Sequence, residues 1–202
     1  MENAKRDKGF VAEALRKYVQ KSHRVLVVGS MTPRREALCV ALGALTWTVD
    51  YNKLTFDHSK MSTMTVDAFM NSTKLFDIIL ADSSLDHDGL GRYGDPIAPD
   101  ADLVAIDHLK FKLKPQGKLI LTVPVGPDLL AWNLMRIYGP IRLPLLLESF
   151  DLIDTIGYDE NRLHQNTHNF RQTYEPVFVL GFLPPASSPH KEEKTNRKVE
   201  EL

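Results

Sequence analysis

The sequence predicts one α/β domain built on a mostly parallel sheet, and three observations carry that reading. Short β-branched runs alternate with amphipathic segments at helical spacing, the pattern of strand–helix–strand units. The first run, "RVLVVG" at 24–29, is apolar without alternation, as a central strand buried on both faces requires. The 202 residues suffice for a single domain with a real core.

Residues 8–22 form the first expected helix. Phe10, Val11, Ala14, Leu15, Tyr18 and Val19 recur on one face, with Lys and Arg on the other. After the strand at 24–29, "SMTPRREALCVALGAL" reads as a second helix. Thr32 can cap it, Pro33 suits its first position and Gly43 suits its stop. "TWTVD" at 46–50 is the second strand and ends in an acid. The connection from Tyr51 to Lys60 is short for a full helix before the third strand. "FDIILADS" at 76–83 is the fourth strand, and residues 100–117 form a helix stopped by Pro115 and Gly117. Strands follow at 118–126, 151–158 and 174–183. No helical pattern separates the last two, so they can pair antiparallel. Residues 184–202 are Pro-rich and then charged, and are expected to be disordered outside a domain spanning 1–183.

Composition narrows the function classes. With 25 Lys and Arg against 26 Asp and Glu, no basic surface for nucleic acid is indicated. The single cysteine, Cys39, forms no intrachain disulfide and reads as a buried small hydrophobe. No apolar run is long enough to span a membrane, and the N-terminus lacks the apolar stretch of a signal peptide. A cytoplasmic protein without a membrane partner is the expectation.

"GLGRYGDP" at 89–96 contains Gly89-x-Gly91-x-x-Gly94, the spacing of a dinucleotide-binding turn. Such a turn works only where it leaves a strand directly and opens a helix, so that N–H groups and the helix dipole meet a phosphate. Here residues intervene after the strand, and Pro96 and Pro99 prevent a helix from starting at the third glycine. The turn with the right context is "VVGSMTPRREAL", and about 20 residues after Gly29 stands Asp50, placed to accept ribose hydroxyls. That turn holds Gly29 and then Ser30, Met31 and Thr32. It is too glycine-poor for a pyrophosphate. A nucleoside cofactor without phosphates, such as S-adenosylmethionine, fits better: its ribose suits Asp50 and its carboxylate suits a helix N-terminus.

At "VLVVGS", "VDYN", "FDIILADSSLDH" and "HLKFKLKPQGKLILTVPVG" the sequence resembles the class I S-adenosylmethionine-dependent methyltransferases over about residues 24–183. Within that superfamily, "HDGLGRYGDP", "RIYGPIRLPLLLESF" and "THNFRQTYEPVFVL" resemble the Caenorhabditis-type domain-of-unknown-function family. The resemblance implies a Rossmann-like, seven-stranded sheet of order 3-2-1-4-5-7-6 with an antiparallel last strand. It implies S-adenosylmethionine as cofactor, held by Gly29, Ser30, Thr32, Asp50, Tyr51 and Asp82. It brings no established substrate.

In an open α/β sheet, ligands sit beyond the carboxyl ends of the strands. The polar loops at 82–99, 124–142 and 157–174 all begin at that rim or meet it. Their acids, histidines and arginines suggest a substrate site for a small polar molecule or a sugar. Asp88, Arg92, Tyr93, Arg142, His168 and Arg171 are the candidate substrate ligands, and His87 is the candidate general base. The bland alternative is that the glycines and prolines of 89–99 only fold a long loop, with Arg92 paired to Asp88 or Asp95. The "DHD" segment at 86–88, with Asp82, could offer carboxylate oxygens to a divalent cation, but neighbouring residues rarely converge on one ion, and no metal is expected. "LPLLLESF" at 143–150 is an apolar stripe for the core or the underside of a lid. Three functions stay open: a methyltransferase, a non-catalytic relative that binds a ligand or partner, and another transferase whose Arg92, Arg142 and Arg171 grip a phosphate or carboxylate.

Overall fold

The computed structural model describes residues 9–165 and 173–182. Its elements run α1 (Phe10–Tyr18), β1 (Arg24–Val28), α2 (Arg34–Ala41), β2 (Leu45–Asp50), β3 (Met61–Thr65), α3 (Val66–Met70) and β4 (Phe76–Asp82). They continue with α4 (Ala101–Lys110), β5 (Leu113–Thr122), β6 (Leu129–Ala131), β7 (Met135–Ile137), α5 (Arg142–Leu147), β8 (Phe150–Ile156) and β9 (Val177–Phe182). Seven strands form one sheet in the order β3-β2-β1-β4-β5-β9-β8. β1 to β5 pair in parallel, and β9 runs antiparallel to both β5 and β8. The sheet's order is the expected one. Only the numbering changes, because a small hairpin, β6–β7, stands outside it between the fifth and sixth sheet strands.

Alternation along the strands divides the core. Val25, Val27, Ile78, Leu80, Ile120 and Val179 face α1 and α2, where Ala14, Leu15 and Cys39 meet them. Leu26, Ile79, Leu119, Leu121, Phe178 and Leu180 face the other way, toward Phe69 of α3, Ile106 and Leu109 of α4 and Leu143 and Leu146 of α5. Within the stripe at 143–150, Leu143 and Leu146 on the inner face of α5 and Phe150 are thus core, while Leu145 stays 49% exposed. Three of the central strands are apolar at almost every position because both faces are covered.

Several boundaries differ from expectation for local physical reasons. The first helix is described only from Phe10 to Tyr18. The helix expected over 100–117 ends at Lys110, and the strand expected at 118 begins at Leu113, pairing with Phe76. Pro115 does not mark the break. The register shifts between Phe76 and Ile78, and Gln116 takes a φ of 66°. A bulge therefore absorbs the "KPQG" segment inside the strand. Thr32 does not cap α2. Pro33 occupies the cap position, no side chain caps it, and the Thr32 carbonyl accepts from the Arg34 N–H. Gly43 does stop it: at φ 90° its N–H bonds the Val40 carbonyl while Ala44 N–H bonds that of Cys39, a Schellman motif. No helix occupies 51–60, as the short connection required. The tail at 184–202 lies outside the described residues.

Candidate functional site at the carboxyl rim of the sheet

β1, β2, β4 and β5 end at one rim, and the loops leaving them build two neighbouring structures. The first is the turn after β1. Gly29, at φ 69°, gives its N–H to the Val49 carbonyl at 2.8 Å. A side chain there would come within 3.3 Å of Ser84 Cβ. The Ser30 N–H reaches Asp50 Oδ2 at 3.2 Å, and the Asn52 N–H reaches Oδ1 at 2.7 Å. Each oxygen of Asp50 thus takes one backbone donor and keeps room for another. The Ser30 hydroxyl donates to the Thr32 carbonyl at 3.2 Å, while Met31 stands 96% exposed. The Ser84 hydroxyl oxygen is buried beside Gly29 and has no hydrogen-bond partner among the described residues.

Asp82 closes the end of β4. Its Oδ2 accepts from Arg35 Nε at 2.6 Å and its Oδ1 from the Thr122 hydroxyl at 3.0 Å. Arg35 came from α2 without a signal in the sequence. Its partner holds the β4 end to the turn, so Asp82 reads as a strut of the cofactor turn. Ser83 then turns the chain at φ 49°, an uncommon conformation for a non-glycine residue.

The second structure is the loop at 85–99. Asp86 is fully buried beside His87, whose Nε2 lies 3.5 Å from Asp86 Oδ2. The other ring nitrogen, Nδ1, lies 2.5 Å from the Leu134 carbonyl, so it carries the proton and donates. The ring of Tyr93 meets that of His87 edge-on at 5.7 Å. His87 therefore ties the loop to the β6–β7 hairpin through Nδ1, with Nε2 facing the buried Asp86 carboxylate. Arg92 and Tyr93 are exposed, with the guanidinium 5.8 Å from the Tyr93 ring centre.

Gly89, Gly91 and Gly94 all take positive φ, from 73° to 87°. At Gly89 a Cβ would lie 2.1 Å from the Ala98 carbonyl oxygen, which explains the glycine by close backbone approach. Asp95, 5% exposed, accepts from the N–H groups of Gly91 and Tyr93, each at 3.1 Å. Burial works to raise its pKa, but the backbone donors outweigh burial and hold the carboxyl below its ordinary value. Asp88 has the opposite environment. Burial first, then the carboxylates of Asp95 and Asp102, push it up to about 7 against the opposing charge of Arg136. Tyr51, directly after Asp50, is pushed up to about 12 by burial and by the charges of Asp88 and Asp95.

Behind the loop sits a buried ion cluster. Asp102 in the first turn of α4 accepts from the Tyr138 hydroxyl at 2.9 Å and from Arg142 Nε and Nη2 at 2.9 and 2.5 Å. Arg142, expected to contact substrate, is therefore committed to Asp102 and to the Pro99 carbonyl at 2.9 Å. Arg136, 3% exposed, lies 3.6 Å from Asp102 and donates to the carbonyls of Asp88, Ala98 and Pro99. Outside it, a cleft of about 420 Å³ opens between the loop and the hairpin, walled by Leu90, Ile97, Leu129, Trp132 and Ile141. Reasoning from sequence placed Asp95 only as a possible partner of Arg92 and missed Asp102. One signal was present: Asp102 lies on the same stripe as Ile106 and Leu109, an acid on an apolar face. His168 and Arg171 lie outside the described residues. Among the described residues no group of three or more potential ligands could hold a metal ion, and no helix is long and apolar enough to cross a membrane.

Known proteins place this arrangement. A family model described as "Caenorhabditis protein of unknown function, DUF268" matches residues 22–177. No curated protein matches significantly. Among solved structures, the chain is similar to the 1,6-didemethyltoxoflavin N1-methyltransferase of Burkholderia thailandensis, solved with 1,6-didemethyltoxoflavin and S-adenosylhomocysteine. That likeness has 18% identity, covers 91% of this chain and 80% of that one, and has a TM-score of 0.68. The N-methyltransferase NodS of Bradyrhizobium japonicum is 14% identical over 90% of this chain and 99% of its own, with a TM-score of 0.63. A TehB-like S-adenosylmethionine-dependent methyltransferase of Corynebacterium glutamicum is 13% identical over 86% and 87%, with a TM-score of 0.58. At these identities the likeness establishes the class I methyltransferase fold.

Proposed function

The chain belongs to the DUF268 family and has the class I methyltransferase fold, and from that premise we propose that it is an S-adenosylmethionine-dependent methyltransferase acting on a small polar molecule or a sugar. The observation that carries the reading is the pairing of Ser30 N–H with Asp50 across the ends of β1 and β2. It presents a carboxylate with spare acceptor capacity beside a glycine turn that opens a helix. The residues fit the cofactor. Asp50 would take the ribose hydroxyls, the turn of Gly29, Ser30 and Thr32 would lie against the amino-acid part, and Tyr51 would flank the adenosine. Asp82 would act through Arg35, holding the turn in place. When bound, the cofactor supplies an electrophilic methyl group on sulfur. The rest of the task is alignment of a nucleophile within bonding distance, which effective-molarity effects make worth several orders of magnitude.

The loop at 85–99 supplies the acceptor side. Arg92 and Tyr93 offer an exposed cation and ring for a polar acceptor, and Asp88 stands within electrostatic reach of Tyr51. The near-neutral charge supports a small molecule over a nucleic acid, and a cytoplasmic setting suits the cofactor.

Calorimetric titration with S-adenosylmethionine and S-adenosylhomocysteine tests the reading. Wild type binds both, and Asp50→Ala weakens S-adenosylhomocysteine by about 1–3 kcal/mol, the worth of hydrogen bonds to a charged acceptor. A second reading is favoured by one feature: the turn holds a single glycine, Gly29, followed by Ser30 and Met31. On that reading the protein is a non-catalytic relative, and wild type binds neither compound.

A further inference from the structure

The cleft between the loop and the hairpin is walled by side chains that water would ordinarily not be left to cover. Ile97 in the loop, Leu129, Leu130 and Trp132 in the hairpin and Ile141 before α5 are each between 46% and 72% exposed, and all line the same space of about 420 Å³. Single exposed apolar residues are ordinary on a protein surface. Several around one concavity mark a place where something binds. The fold also holds the cleft open. Arg136, buried at its floor, donates from β7 to the carbonyls of Asp88, Ala98 and Pro99 in the facing loop. His87 of that loop bonds the Leu134 carbonyl of the hairpin. The two walls are thus clamped to each other before any ligand arrives.

The charged groups in the lining decide what fits. Asp128 accepts the N–H groups of Gly139, Ile141 and Arg142 at 2.9, 2.9 and 3.0 Å. Arg142 is taken up by Asp102 and the Pro99 carbonyl, and Arg136 by its three carbonyls. Each charge already has its partner inside the fold. A charged ligand group would shed its water there and gain no free counter-charge. A neutral apolar group gives up little and covers the exposed wall. Size separates the remaining occupants. A stable protein interface takes about 20–30 residues from each side, far more than this wall offers. Small-molecule pockets run from about 300 to 1,000 Å³, a range that includes this cleft.

We propose that the cleft is a binding site for a neutral small molecule with an apolar ring or chain, held between Ile97 on one wall and Trp132 and Ile141 on the other. The site takes its ligand whether or not the chain transfers a methyl group.

The test uses the full chain and two probes built on one ring system. N-phenyl-1-naphthylamine is neutral, and 8-anilino-1-naphthalenesulfonate adds a negative charge to the same rings. The neutral probe binds saturably and quenches tryptophan emission by energy transfer. Most of that quenching disappears in Trp132→Phe, although Trp47 remains. Ile97→Gln and Ile141→Asn, at exposed positions on the two walls, each weaken the neutral probe by about fivefold or more. Asn suits the cap position that Ile141 holds, and the melting temperature of each variant stays within about 2 °C of wild type. The sulfonate binds about tenfold more weakly than the neutral probe. Equal or tighter binding of the sulfonate would reveal a free cation and overturn the ligand class. Binding of the neutral probe that neither wall substitution weakens, or no saturable binding at all, would overturn the site. A dimer in sedimentation that Ile141→Asn breaks would make a second copy the occupant and overturn the small-molecule proposal.

Discussion

The turn at 29–33 and the loop at 85–99 leave the same rim of the same sheet, yet they are held very differently. The turn rests on a few backbone contacts, chiefly Gly29 N–H to Val49 and Ser30 N–H to Asp50, and exposes Met31 almost fully. The loop is fixed from both sides. Arg136 grips three of its carbonyls, Asp95 gathers its N–H groups from within, and Asp102 anchors Arg136 and Arg142 beneath it. A segment that must admit a cofactor gains from being lightly held, because ordering it can accompany binding. A segment that must align a nucleophile gains from being rigid beforehand. The difference between them follows the division of labour proposed above.

The comparison can be broken most forcefully at Arg136. Arg136→Ala removes a buried cation from Asp102 and three carbonyls, and should cost about 3–5 kcal/mol. Thermal denaturation should show a melting point lower by roughly 10 °C for a domain of this size. An effect near zero would show the loop to be held by other means. Next comes Gly89→Ala, whose new Cβ has no space against the Ala98 carbonyl and should cost about 3 kcal/mol. Gly94→Ala, with nothing near its Cβ, meets only the left-handed backbone strain of about 1 kcal/mol. Equal losses at both glycines would contradict the packing account.

Asp88 sharpens the comparison through pH. Its folded pKa lies above the unfolded value, so the folded state binds a proton that the unfolded state releases between about pH 4 and 7. Stability from this group is present below that window and is lost as pH rises through about 7. Chemical denaturation at pH 8 should find Asp88→Asn more stable than wild type by about 2 kcal/mol, allowing for partial solvation, with no gain at pH 4. A constant difference across that range would remove the strained carboxylate. The smallest effect is expected in the turn. Thr32→Ala should change stability by less than about 0.5 kcal/mol, because its hydroxyl caps nothing.

Most of the sheet was legible. β1, β2 and β4 announce themselves by short runs rich in β-branched and apolar residues, and Gly43 by its place after a helical stripe. Two elements were not. The β6–β7 hairpin has three-residue strands joined by "WNL", with none of the Asn-Gly or Gly-rich turns that mark a hairpin. The start of β5 was hidden because Pro115 and Gly117 read as breakers, whereas the bulge uses them. In the site, the position of Asp50 followed from chain spacing alone. The fate of Arg142 did not, because its partner, Asp102, is forty residues away and only the fold brings them together. Sequence spacing reports which rim a polar residue reaches. It does not report which ones the interior has already claimed.

The last strand has a bearing on how the chain is assembled. β9 lies between β5 and β8, so the two elements that precede it on its flanks have no contact with each other until it arrives. As the chain leaves the ribosome, β5 presents an open parallel-sheet edge, with Leu119 and Leu121 beside it, and β8 has no strand to pair with. Closure waits for Val177–Phe182, the last strand of the sheet. Such late, long-range pairing slows folding and leaves an unprotected edge in the meantime. A stop or cleavage before Val177 would therefore free two strands, and its product should aggregate during synthesis even though every residue of the rim is present.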